Sequence, residues 1–320
     1  MVASAVPPSG SVPPGSVPFS VEVFPARTSA AALALGHTVQ RLSQRGAAFV
    51  AVTCGAAGTG ASASADLVGY VQTHVAAPVL AHVTTWGADP DELRDRVRTL
   101  RDQGVRRVLA VRGDPPRVEP GLAGPVTASD LVAIARETFA EAGIDDPDIA
   151  VAAFPLGHPA GARSHATAID HDLALLAAKQ RAGATRALTQ VQFEPEGYAA
   201  YVERARAAGV TIPIVPGVLA VTSADRLRRV VELTGGPVPT ELAEALDAAG
   251  SPEDAEAVGV AFASRLSRAL LEVGAPAIHF YTLNAAEPVL RILDSLESSD
   301  PTTPTTHRDA AVARTERTFA

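Results

Sequence analysis

The chain is poor in cysteine, in lysine and in aromatic side chains. Cys54 is the only cysteine, which excludes a disulfide scaffold and a zinc site built on clustered cysteines. The eight histidines are scattered and form neither HExxH nor any other metal-ligand spacing, so no metal site is expected. Lys179 is the only lysine, and arginine supplies the remaining positive charge. A net charge of −8 argues against nucleic acid as a partner. No apolar run approaches the ~18 residues of a membrane span. The start of the chain has neither the basic segment nor the apolar segment of a signal peptide. A soluble, cytoplasmic protein is therefore expected. Aromatics are only 4% of the residues, few for a protein that stacks on a flat cofactor.

What is present is enough apolar material to fold. Hydrophobic residues make up 47% of 320, which excludes a disordered chain. That length fits two ordinary domains or one large α/β barrel. Residues 1–16 are mostly Pro, Ser, Gly, Ala and Val with no charge, and residues 298–320 are rich in Ser, Thr, Pro and charge. Both compositions predict disordered tails around an ordered unit at 17–297.

Within that unit short β-rich runs alternate with longer helical patterns. Strands are expected at Val17–Phe24, Phe49–Thr53, Val79–Val83, Arg107–Val111, Ile149–Phe154, Ala187–Gln190, Ile212–Val215 and Ala277–Tyr281. A helix follows each. One begins at Asp89-Pro90, with Asp as cap and Pro at the first helical position. Two extra helices, near Pro239–Ala248 and Pro252–Glu272, precede the last strand. Eight βα units predict a (β/α)8 barrel, for which ~250 residues is typical. The competing open, doubly wound sheet would carry a Gly-rich phosphate loop after its first strand, but Phe24-Pro25-Ala26-Arg27 has no glycine there. A barrel places its site at the C-terminal ends of the strands, so polar residues there are the candidates.

Strand one carries Glu22, on the same face as Ser20 and Phe24. A carboxylate between apolar neighbours inside a barrel is expected to have a raised pKa, which suits a general acid. The bland alternative, a strand-end carboxylate paired with an arginine, is equally open on the residues alone. Strand two runs into Thr53-Cys54 and a Gly-rich loop that fits neither nucleotide fingerprint, with Cys54 read as a small buried side chain. Strand three ends near His82, which on its own reads as a hydrogen-bonded core group. Strand four ends in Arg112-Gly113-Asp114, suited to contact with a cofactor or to a local ion pair. Strand five ends in Phe154-Pro155-Leu156-Gly157-His158, and strand eight in Phe280-Tyr281-Thr282-Leu283-Asn284. Gln190, at the end of strand six, offers a donor and an acceptor to the amide-like edge of a heterocycle, or to nearby backbone.

Taken in order, these strand ends resemble the methylenetetrahydrofolate reductase family in its single-domain bacterial form. The matching pieces are SVEVFP (Ser20–Pro25), FVAVTCGAAG (Phe49–Gly58), VRRVLAVRGD (Val105–Asp114), VAAFPLGHP (Val151–Pro159), AGATRALTQ (Ala182–Gln190), IVPGVL (Ile214–Leu219) and FYTLN (Phe280–Asn284). The resemblance implies a (β/α)8 barrel that binds FAD, oxidises NADH or NADPH, reduces 5,10-methylenetetrahydrofolate to 5-methyltetrahydrofolate and commonly forms homo-oligomers. It makes Glu22 the general acid that opens the five-membered ring to an iminium, and puts Asp114 near flavin and pterin. It assigns Thr53 to the flavin ring, and His82, Arg112, Gly113, Asp114, Phe154, His158, Asp172 and Lys179 to the cofactor. Gln190, Arg226 and Tyr281 fall to the substrate.

The chain departs from the family pattern in its grip on ligands. Thr127 and Phe154 stand where Tyr faces the flavin, and Leu175 and Ala178 where an Asn and an Arg hold FAD. Arg226 and Val230 replace a Gln and a Phe at the substrate, and Ala285 replaces an Arg. Three functions follow: a flavin-dependent reductase, a relative that passes hydride from NADH straight to the folate, and a barrel that binds folate or nucleotide without turnover.

Overall fold

The computed structural model describes residues 16–54, 61–113, 126–157 and 165–298. The elements in chain order are β1 (Phe19–Val23), α1 (Ser29–Gln44), β2 (Val50–Val52), α2 (Ala61–His74), β3 (Val79–Thr84), α3 (Pro90–Asp102), β4 (Arg107–Val111), α4 (Ala128–Ala140), β5 (Asp148–Ala153), α5 (His165–Ala182), β6 (Arg186–Val191), α6 (Pro195–Ala207), β7 (Ile214–Val218), α7 (Ala224–Thr234), α8 (Thr240–Asp247), α9 (Pro252–Glu272), β8 (Ile278–Tyr281) and α10 (Glu287–Glu297). All eight strands pair in parallel, each with the next, and β8 closes on β1. The expected barrel is the fold, with α8 and α9 as the extra helices before the last strand. Apart from Ser16 and Ser298, the expected tails lie outside the described residues.

Local chemistry sets the helix starts. Asp89 caps α3 through a reciprocal pair, its carboxylate accepting from the Glu92 backbone while Glu92 accepts from the Asp89 backbone. Thr127 and Asp130 build the same box at α4. Alternation along each strand then sorts side chains into two layers. The outward layer, including Val21, Val23, Val50, Val52, Ala81 and Val108, packs against the helices. The inward layer is smaller: Phe49, Ala51, Leu80, Leu109, Ala150, Leu188 and Val215 fill the middle of the barrel.

Strand seven is displaced from its expected place, running from Ile214 to Val218 rather than from Ile212 to Val215. Pro216-Gly217 reads as a stop signal in the sequence, yet both residues lie buried within the strand. The sheet accommodates them with a bulge. The β6–β7 register passes from Leu188↔Val215 to Val191↔Gly217, so β6 spends one extra residue opposite Pro216, which has no N–H to give to a ladder.

Candidate active site at the C-terminal mouth of the barrel

Above the apolar inner layer, the same alternation turns Glu22 of β1, His82 of β3, Gln190 of β6, Gly217 of β7 and Tyr281 of β8 inward, with Thr53 just past β2. Glu22 sits at the centre. Its Oε2 lies 3.6 Å from His82 Nε2 and 3.6 Å from His279 Nε2, just beyond hydrogen-bond length. Neither imidazole Nε2 has a hydrogen-bond partner among the described residues. His279 is fully buried, and its Nδ1 lies 2.8 Å from Ser20 Oγ. Phe49 stacks on the His279 ring with centroids 5.9 Å apart, and Tyr281 meets that ring edge-on at 5.3 Å.

The expected rise in the Glu22 pKa is not found. Burial pushes the carboxyl up more than any other single influence. The close polar contact of His279 and the positive potential of both imidazoles together outweigh it and hold the pKa below the ordinary glutamate value. Sequence reading saw the apolar neighbours of Glu22 along β1 but not the imidazoles reaching it from β3 and β8. His82 itself is pushed down, first by burial, with Glu22 acting against that and His279 adding to it. Tyr281 is pushed well up by burial and by the Glu22 charge.

Most of the other sequence candidates also lie around the mouth. Thr53 Oγ1 is buried and has no hydrogen-bond partner among the described residues. Gly113 has φ +82°, and a Cβ there would stand 3.0 Å from Thr84 Cβ. Arg112 is exposed, and its carbonyl accepts from the Trp86 N–H at 3.0 Å. Phe154 is half-buried just beyond β5. Gln190 is exposed in a strand whose neighbours are buried. Tyr281 Oη donates to the Thr189 carbonyl at 2.8 Å. Asp114, His158 and the Gly-rich loop after β2 lie outside the described residues.

Three candidates lie on helices rather than at strand ends. Asp172 is buried on α5, and Lys179 of the same helix donates to the Ala152 carbonyl at 3.0 Å. Burial lowers the Lys179 pKa to about 8 against the opposing pull of Asp172. Arg226 is exposed on α7, its guanidinium donating to Thr222 Oγ1. Thr127 caps α4, and Val230 packs against the cluster of Val191, Leu219, Leu227 and Leu242 under α7 and α8. Cys54 is half-buried rather than buried.

Sequence reasoning placed Ser20 on the face of Glu22 without giving it a role, and it passed over His279. Alternation from Glu22 and from Tyr281 points both of them inward, and that signal was available.

The comparisons agree with the geometry. Residues 11–297 match the model of the methylenetetrahydrofolate reductase family. The 5,10-methylenetetrahydrofolate reductase of Escherichia coli (strain K12) is 34% identical over 286 residues, covering 88% of this chain and 91% of that one. The methylenetetrahydrofolate reductase (NADH) 1 of Arabidopsis thaliana is 30% identical over 294 residues, covering 88% of this chain but 48% of that protein. Among solved structures, an uncharacterized protein from Clostridium thermocellum that binds two copies of 5-methyl-5,6,7,8-tetrahydrofolic acid shares the fold, with a TM-score of 0.58 and 13% identity over 88% of this chain and 94% of that one. No described helix is long and apolar enough to cross a membrane. With the family match spanning nearly all of the barrel, the chain belongs to the methylenetetrahydrofolate reductase family.

Proposed function

We propose that this barrel reduces 5,10-methylenetetrahydrofolate to 5-methyltetrahydrofolate with NAD(P)H, with FAD as the bound carrier. The observation that carries the reading is the Glu22–His279–Ser20 arrangement at the mouth of a barrel of this family. Opening the imidazolidine ring breaks a C–N bond, and the departing nitrogen needs a proton. The hydride then adds to the iminium carbon and makes the N5-methyl group. Glu22 is the group placed to supply that proton, with the His279 imidazole 3.6 Å from its carboxyl and Ser20 fixing the far side of that ring. Gln190 presents an amide to the pterin edge, and Arg226, exposed on α7, would offer its charge to the anionic tail of the substrate.

The described residues fit a flavin. The Thr53 hydroxyl, without a hydrogen-bond partner among the described residues, offers a hydrogen bond to a ring heteroatom, and Gly113 lets the chain after β4 pass close against Thr84. Thr53, His82, Arg112, Gly113, Phe154, Asp172 and Lys179, with Asp114 and His158, would hold it. When bound, FAD supplies the hydride relay between the nicotinamide and the folate. One feature favours the flavin-free alternative: α5 presents Leu175 at 42% exposure, together with Ala178, where family members use an Asn and an Arg to hold FAD.

The test is the visible spectrum of purified protein with an NADH-oxidation assay. A flavin spectrum and folate-dependent oxidation are expected, with Glu22→Gln lowering folate turnover ~10²–10⁴-fold while the fold stays intact. A colourless protein that still oxidises NADH with methylenetetrahydrofolate selects direct hydride transfer. Full activity in Glu22→Gln removes the assigned acid.

A further inference from the structure

We propose that the buried hydroxyl of Thr189 is a positioning residue for Gln190. The inference rests on the reading of Gln190 as the substrate-facing amide. Thr189 is fully buried and cannot touch a ligand.

The bulge gives the hydroxyl its task. The extra residue of β6 leaves the chain around Gln190 without regular pairing to β7, including a backbone partner for the Gly217 N–H. Thr189 Oγ1 fills that gap. It accepts from the Gly217 N–H at 3.0 Å and donates to the Gln190 carbonyl at 2.7 Å. One hydroxyl thus ties the bulged residue to its own strand and to the next.

Neighbouring groups close the clasp. Gln192 Nε2 donates to the same Gln190 carbonyl at 3.0 Å. Tyr281, reaching over β7, donates to the Thr189 carbonyl at 2.8 Å. It can reach because Gly217 has no side chain. A Cβ there would stand 2.5 Å from the Tyr281 ring and 2.7 Å from the Thr189 carbonyl. With its main chain held on these sides, Gln190 leaves only its side chain to point into the mouth.

The experiment compares Thr189→Val, which keeps the shape and loses the hydroxyl, with Thr189→Ser, which keeps the hydroxyl. Both are assayed beside Gln190→Ala and the Thr189→Val/Gln190→Ala double variant, well below the melting temperature. In Thr189→Val, kcat/KM for methylenetetrahydrofolate should fall about tenfold, the scale of one lost buried hydrogen bond, while KM for NADH stays at the wild-type value. Thr189→Ser should restore folate efficiency to within about twofold. The double variant should be no worse than Gln190→Ala, because both changes remove one function. Wild-type folate efficiency in Thr189→Val beside an impaired Gln190→Ala overturns the positioning role. So does an equal loss for folate and NADH, or additivity in the double variant. If Gln190→Ala itself binds and reduces folate normally, the substrate reading of Gln190 fails and the proposal falls with it.

Discussion

Glu22 experiences burial and charge pulling in opposite directions, and the balance depends on one neighbour. Burial favours the neutral acid, while His279 and His82 favour the carboxylate and prevail. A carboxyl with a lowered folded pKa adds stability above its unfolded pKa and loses it as pH falls through the folded one. Removing His279 leaves burial dominant, so the folded pKa should rise above the unfolded value and the sign should reverse. His279→Ala is therefore expected to be destabilised most near pH 7, with its gap from wild type narrowing as pH is lowered into the carboxylate range. Urea unfolding at a series of pH values checks this, and a gap that widens on acidification would show that His279 does not control Glu22. The sequence disclosed Glu22 because a charged residue inside an apolar strand stands out. It hid the direction of the pKa shift, which is set by two histidines far away along the chain and beside Glu22 in space.

At the scale of elements, the segments with strong local signals are the ones the sequence located. The Asp89-Pro90 start of α3 and the eight apolar runs all correspond to elements of the barrel. Strand seven was misplaced because Pro216-Gly217 is a break by local rules, and only the bulge in a neighbouring strand makes it continuous. Thr127 shows the same division between local and tertiary information. Its place in the family pattern suggests a position facing the cofactor. In the structure it is an exposed cap whose side chain accepts from the Asp130 N–H, with Asp130 returning a bond to the Thr127 backbone. Thr127→Ala should therefore cost about 1 kcal/mol, the usual price of a lost cap. Thermal unfolding should show a drop of roughly 2 °C at this chain length. A large loss of activity without that drop would place Thr127 in the site instead.

Across the whole molecule, stability and chemistry occupy opposite ends of the barrel. At the N-terminal floor, Asp148 accepts from Arg186 at 2.8 Å, lies 3.3 Å from Arg107 and accepts from Thr185 Oγ1 at 2.9 Å. The Arg186 guanidinium also sits over the Phe49 ring, 5.5 Å from its centroid. Burial lowers the Arg107 pKa, Asp148 pulls it back up, and Arg186 lowers it further, so the carboxylate between the two guanidiniums offsets their mutual repulsion. Asp148→Asn keeps the shape and removes that charge. A fully buried pair broken this way costs ~3–5 kcal/mol. Here Arg107 and Arg186 retain 19% and 23% of their side-chain exposure, so about 2 kcal/mol is expected, a fall of roughly 4 °C in melting temperature. The mouth should not register the change. Phe49 is the one ring that touches both ends, stacking on His279 above and under Arg186 below, and the apolar inner layer holds it in place without the ion pair. Folate-dependent NADH oxidation at 25 °C should therefore match wild type in Asp148→Asn while the melting temperature falls. A drop in activity with the fold intact would mean that the floor tunes the Glu22–His279 pair through Phe49, and that the two ends of the barrel are coupled.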